Sequence, residues 1–167
     1  MAKLLLRNIG WLYTCDAGER VLKDAWLLAE DGRITAIGKE PCPVPAADVV
    51  EDLAGCIAMP GLISLHHHFY QSLTRAIPVA QRSRALPWLF AMYPIWSGLD
   101  AEGMRGGTLS AAAEFVLTGG TTCADHSYLL PGTGGELVDA QVEAAREIGL
   151  RLHLVRGCMP TIEGELA

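Results

Sequence analysis

From Gly61 onward, short apolar runs alternate with amphipathic helical patterns, and this alternation restricts the possible folds more than any other feature of the chain. "GLISLHH" (61–67), "TTCADH" (121–126) and "LRLHLVRG" (150–157) read as strands. Between the first two, a helix is predicted from about Ala101 to Thr118, with Asp100 as its N-cap and Gly119-Gly120 as its stop. A second helix is predicted over "GELVDAQVEAAREI" (135–148), with apolar positions at Leu137, Val138, Val142, Ala145 and Ile148 and an end at Gly149. Strand–helix–strand–helix–strand is the pattern of a parallel sheet with right-handed crossovers, an α/β architecture.

The upstream part has a different grammar. "LLLRNIGWLYT" and "VLKDAWLLAE" are rich in strand formers, and Asp31-Gly32 supplies a hairpin turn before "RITAIG", so antiparallel strands are expected. "PCPVPAA" (41–47) is a loop, because Pro41, Pro43 and Pro45 each remove a backbone donor. A short strand is expected around Val49–Leu53, and Met59-Pro60-Gly61 marks the change of region. Two domains follow, residues 1–58 and 59–167. The stretch from Phe69 to Gly98 carries Trp88, Phe90, Tyr93 and Trp96 among Pro78, Pro87 and Pro94. An excursion of that length either roofs a pocket or forms a hydrophobic cluster beneath a loop.

Three adjacent histidines, His66, His67 and His68, end the first parallel strand. Strand alternation places Leu62, Ser64, His66 and His68 on one face and Ile63, Leu65 and His67 on the other. The Cα atoms of His66 and His68 would lie roughly 6.5–7 Å apart, a span over which both rings can close on one metal ion. His67 faces away and is expected to be packed and hydrogen-bonded. Ligands of parallel α/β folds bind at the carboxyl ends of the strands, where His126 and Arg156 also fall. Thr122, Ala124 and His126 share a face of the second strand, and Leu152, Leu154 and Arg156 share one of the third. Taken as the inward faces, they put small and apolar residues below and polar ones at the mouth. His153, opposite Arg156, is assigned a structural role, and Asp125 is expected to satisfy loop backbone rather than bind metal.

Composition excludes several classes. A net charge of −6 and a pI near 5.3 argue against a sequence-independent nucleic-acid binder, which needs a basic stripe. Cys15, Cys42, Cys56, Cys123 and Cys158 form an odd set with no C-x-x-C pair, read as reduced, mostly buried thiols of a cytoplasmic protein. The start, "MAKLLLRNIGWLY", is too short and polar for a signal peptide. No run approaches about 18 apolar residues, so no membrane partner is expected and the chain should be soluble.

"MPGLISLHHHFYQSLTRA" resembles the first-strand motif of the amidohydrolase superfamily. With "LPWL", "MYPIW", "GGTTCADHSYLLP" and "LVRG", the resemblance extends over nearly the whole chain, toward the branch that contains 8-oxoguanine deaminase, isoxanthopterin deaminase and hydroxydechloroatrazine ethylaminohydrolase. It implies a (β/α)8 TIM barrel with a small β-sandwich, and a deaminase holding one zinc or iron. The metal ligands it implies here are His66 and His68. Gln71 and Arg156 would contact the polar edge of a small heterocyclic substrate, with His126 and Tyr128 bordering the same pocket. A homo-oligomer at full length is also implied. Such a barrel takes about 250 residues, so the chain is expected to be the amino-terminal piece of a longer enzyme, with about three strand–helix units and an incomplete metal site. Removal of an alkylamine or halide from a triazine, or a non-catalytic fragment, are the competing expectations.

Overall fold

The computed structural model describes residues 2–132 and 134–157, and the chain divides into two compact units, Met1–Pro60 and Gly61–Ala167. Cys158, counted above among the buried thiols, lies outside the described residues.

In the first unit, β1 (Lys3–Tyr13), β2 (Val21–Glu30) and β3 (Arg33–Lys39) form an antiparallel meander. Asp31 and Gly32 both take positive φ, 50° and 74°. A two-residue turn of that hand matches the twist of its strands, which fixes Glu30 opposite Arg33. Two further strands, β4 (Val49–Asp52) and β5 (Ile57–Ala58), add to β1 in parallel. The expected proline-rich loop covers a core: Cys42 and Val44 pack on Leu5, Trp26 and Leu28. Off the sheet its prolines forfeit no ladder hydrogen bond. A second cluster gathers Ile9, Leu12 and Ala25.

The thiol expectation is corrected. All four described cysteines are free, but only Cys123 is buried; Cys15 and Cys56 are exposed and Cys42 is half-buried. Cys15 and Cys56 sit in connections beside strand ends, where apolar composition does not enforce burial.

In the second unit, β6 (Leu62–His67), β7 (Gly120–Ser127) and β8 (Arg151–Arg156) pair in parallel and in chain order. The excursion after β6 is more ordered than its prolines suggest. It forms two 3-10 turns, Phe69–Thr74 and Pro78–Ala80, and then α1 (Ala85–Trp96). Pro87 falls in the first turn of α1, where a missing N–H costs nothing, and Pro94 falls near its end. Met92 and Trp96 are buried with Tyr70, Ala80, Met104 and Leu137, and Trp88 packs against them. These aromatics therefore build a core, with Trp88 only partly buried at its margin.

The predicted helices form as α2 (Ala101–Leu117) and α3 (Gly135–Ile148). Ala111 and Ala112 of α2 pack with Cys123 of β7 and Leu150, so helices cover one face of the sheet. Gly119, at φ 91°, ends α2 alone; Gly120 is already the first residue of β7. Gly107 lets α2 approach the first 3-10 turn, since a Cβ there would lie 3.0 Å from Tyr70 Cα. Asp100 caps α2, its Oδ1 accepting the Gly103 amide at 2.8 Å. Asp100→Ala should lower stability by about 1 kcal/mol, read as a smaller urea midpoint with an unchanged m-value. Among the described residues no helix is long and apolar enough to cross a membrane.

Candidate functional site

The two faces of the parallel sheet differ in cover, and the register assigns residues to each. Cys123, Asp125 and Ser127 are buried on the face that α2 covers through Cys123. Thr122, Ala124 and His126 alternate with them on the open face. Ser64 pairs with Cys123 and His67 pairs with Asp125, so both belong to the helix-covered face. Three steps on β6 thus match two on β7, and the register shifts between Ser64 and His67. Strict alternation is corrected accordingly: Leu65 and His66 both fall on the open side, and Ser64 does not. His66 and His68 still end up together, but through this irregularity rather than through a regular pleat.

A second correction concerns β8. His126 pairs with Val155 and Ser127 with Arg156, while Ala124 pairs with His153. Paired residues of a parallel ladder share a face, so Leu152, Leu154 and Arg156 lie on the helix-covered side. His153 lies on the open side with His126. The sequence carries no mark that separates these two phases, because Leu152, Leu154 and Val155 are equally apolar.

At the end of β6, His66 Nε2 and His68 Nε2 stand 3.1 Å apart. His68 Nδ1 lies 2.7 Å from the backbone carbonyl of His126. A carbonyl only accepts, so this nitrogen carries the proton and the Nε2 lone pair is presented to His66. Burial holds the His68 pKa below the usual histidine value, against the raising effect of that hydrogen bond, so the ring is neutral at pH 7. Two imidazole nitrogens, one with its tautomer set by backbone, are donors that zinc and similar divalent ions accept. The residues present fit such an ion. Among the described residues, however, no group of three His, Cys, Asp or Glu side chains is arranged to hold a metal.

The neighbours have defined duties. The His126 ring stacks on His66 with centroids 4.6 Å apart, and its Nε2–H donates to the Leu65 carbonyl at 3.2 Å; it braces His66. Gln71 Nε2 donates to Tyr128 Oη at 3.2 Å and to Tyr70 Oη at 3.4 Å. Tyr128 meets His68 edge-on, with centroids 5.1 Å apart. A cleft of about 430 Å³ is lined by His66, His67, His68, Gln71, Thr74, Arg75 and Trp88 among others. Arg156 instead lines an adjoining cleft of about 350 Å³ with Tyr128, Leu129, Leu130 and Ser97. The structure thus brings His66, His68, Gln71, His126 and Tyr128 together, and Tyr128 also lines the cleft that holds Arg156.

His67 behaves as a packed residue. Its Nδ1 accepts the His68 amide at 2.9 Å, its ring lies 4.5 Å from that of Phe69, and burial lowers its pKa. The nearby Asp125 carboxylate, 3.9 Å away, therefore faces a neutral ring. Asp125 Oδ1 accepts the Phe69 amide at 2.7 Å, the backbone role expected of it. Tyr70 escaped the reading of individual residues, and Trp88, read only as part of the aromatic excursion, lines the cleft. The signal that would have found Trp88 is its spacing of four and eight from Met92 and Trp96.

The amidohydrolase family model matches residues 57–166. The chain is 40% identical over 162 residues to 8-oxoguanine deaminase of Pseudomonas aeruginosa, covering 95% of this chain and 35% of that protein. It is 34% identical to hydroxydechloroatrazine ethylaminohydrolase of a Pseudomonas species, covering 98% and 37%. Among solved structures, atrazine chlorohydrolase from Arthrobacter aurescens complexed with zinc superposes with a TM-score of 0.86 at 33% identity, over 92% of this chain and 35% of that one. The chain spans about a third of the length of the relatives it matches.

Proposed function

The chain belongs to the amidohydrolase family, and from that premise we propose that it forms part of a metal-dependent hydrolase that deaminates a flat, oxo-substituted aminoheterocycle. 8-Oxoguanine is the first choice of substrate. The observation that carries the reading is the pair of facing Nε2 atoms of His66 and His68. In this reading residues 1–58 are part of a β-sandwich and residues 59–167 the first strand–helix units of a (β/α)8 barrel, in a cytoplasmic enzyme that works as a homo-oligomer.

His66 and His68 would hold one divalent ion, zinc first and iron as the alternative. When bound, such an ion supplies Lewis acidity and makes water a competent nucleophile near neutral pH. The chain's own residues prepare the place. His126 keeps the His66 ring stacked, and its carbonyl keeps His68 in the ligating tautomer. Gln71, steadied by Tyr70 and Tyr128, offers amide hydrogen bonding to the edge of the ring. Trp88 gives the cleft an aromatic wall suited to a planar substrate. Arg156, on the helix-covered side of β8, lines the adjoining cleft instead. A site that pairs with ring carbonyl and N–H groups rejects rings that lack them.

Similarity to triazine-directed relatives supports a second reading, hydrolytic removal of an amine or halide from a triazine. Ammonia release from 8-oxoguanine, guanine, isoxanthopterin and a hydroxytriazine should be compared in a chain continued to the length of its relatives. Turnover of the oxo-purine with little on adenosine is expected; the reverse order would remove the reading. The 167 residues alone should show no turnover, because two histidines fall short of the three protein ligands of a catalytic zinc.

A further inference from the structure

Three polar side chains outside the proposed chemistry are wholly buried in one cluster: Asp125 and Ser127 on β7 and Gln141 on α3. Asp125 Oδ1 accepts the Phe69 amide. Its Oδ2 accepts the Gln141 amide and lies 3.3 Å from the Ser127 hydroxyl. Ser127 Oγ donates in turn to Gln141 Oε1 at 2.6 Å. Among the described residues no buried side-chain nitrogen or oxygen lacks a partner, so the cluster is internally satisfied.

Its placement ties it to His68. Phe69 directly follows His68 and opens a 3-10 turn, whose first amides have no partner inside the turn. Asp125 fills that need, and the next residue along β7, His126, holds the His68 ring through its carbonyl. Two consecutive residues of β7 thus secure two consecutive residues at the end of β6. An apolar side chain of similar size would be the less costly occupant of this position, so bulk stability does not account for an acid here; the amide it receives does. We infer that Asp125 is a positioning residue that sets the orientation of His68 and, through Gln141, couples that orientation to α3. The inference rests on the reading of His68 as a metal ligand.

The test compares the full chain with Asp125→Asn, Asp125→Ala and His68→Ala. Zn2+ affinity is measured by competition with a chromophoric chelator, and the His68 tautomer by imidazole 15N–1H correlation. Asp125→Ala should weaken Zn2+ binding about 10–100-fold and erase the Nδ1–H signature of His68. Asp125→Asn should retain both, since its oxygen still accepts from Phe69 and its amide can donate to a turned Gln141. If His68→Ala binds Zn2+ as the unaltered chain does, the metal reading fails while the tautomer still judges Asp125. If His68→Ala loses Zn2+ but Asp125→Ala keeps affinity and tautomer, the positioning role is overturned. Should Asp125→Ala not fold, hydrogen exchange at the Phe69 amide of the unaltered chain decides. Protection comparable with β7 amides supports the role, and exchange at the rate of an open loop overturns it.

Discussion

His68→Ala should abolish metal retention and turnover in a chain continued to the length of its relatives, and His66→Ala should do the same. Each removes one of two facing nitrogens 3.1 Å apart, and a metal shell built from so few protein ligands is left incomplete. The expected loss of affinity exceeds the 10–100-fold, on the order of magnitude, that follows removal of an outer hydrogen-bonding partner. His67→Ala is the control. Its ring packs on Phe69 from the helix-covered side, so it should cost about 1 kcal/mol of stability and leave metal content unchanged. Metal per chain after dialysis, read by emission spectroscopy, decides between them. Metal lost with His67→Ala and kept with His66→Ala would reverse the assignment of faces.

Trp96→Ala carries the largest expected stability loss. Trp96 is 2% exposed and meets Tyr70, Trp88 and Tyr93 edge-on with centroids 5.4, 5.2 and 6.0 Å away. Its indole N–H donates to Thr74 Oγ1 at 3.1 Å. Truncation deletes an aromatic hub and one of the two hydrogen bonds of the Thr74 hydroxyl, which keeps its bond to the Gln71 carbonyl, costing about 3–5 kcal/mol. Because Tyr70 also receives the Gln71 amide, the loss should spread into the cleft. Trp96→Phe should recover most of the stability but not the indole hydrogen bond. Urea unfolding followed by circular dichroism measures both, and a Trp96→Ala change below about 1 kcal/mol would mean the cluster is not a core.

The elements of this chain were legible where local chemistry dominates. Asp31-Gly32, Asp100 and Gly149 each announce a boundary through a backbone requirement, and the structure places a turn, a cap and a helix end there. Long-range pairing was less legible. Nothing local tells β4 and β5 to join β1 in parallel, and nothing in "LRLHLV" sets which leucines meet the helices. Two polar residues show the same limit. Gln141 sits amid the buried stripe of α3 beside Leu137, Ala144 and Ala145, where a polar side chain reads as an interruption until its partners on β7 are known. Arg156 ends a strand and so reads as a member of the mouth, but its phase belongs to the neighbour it pairs with.

The register shift between Ser64 and His67 bears on whether this histidine motif can be moved to another protein. In a regular strand continuing from Ser64, residues 66 and 68 would follow Ser64 onto the helix-covered side. A designer who grafts only the spacing H-x-H onto an ideal parallel strand, with the phase of Ser64 kept, would aim both rings into the layer beneath the helices. The transferable unit is larger. It comprises the extra residue on β6, the carbonyl of His126 and the carboxylate of Asp125, which together convert a pleat pointing one way into a pair of rings pointing the other.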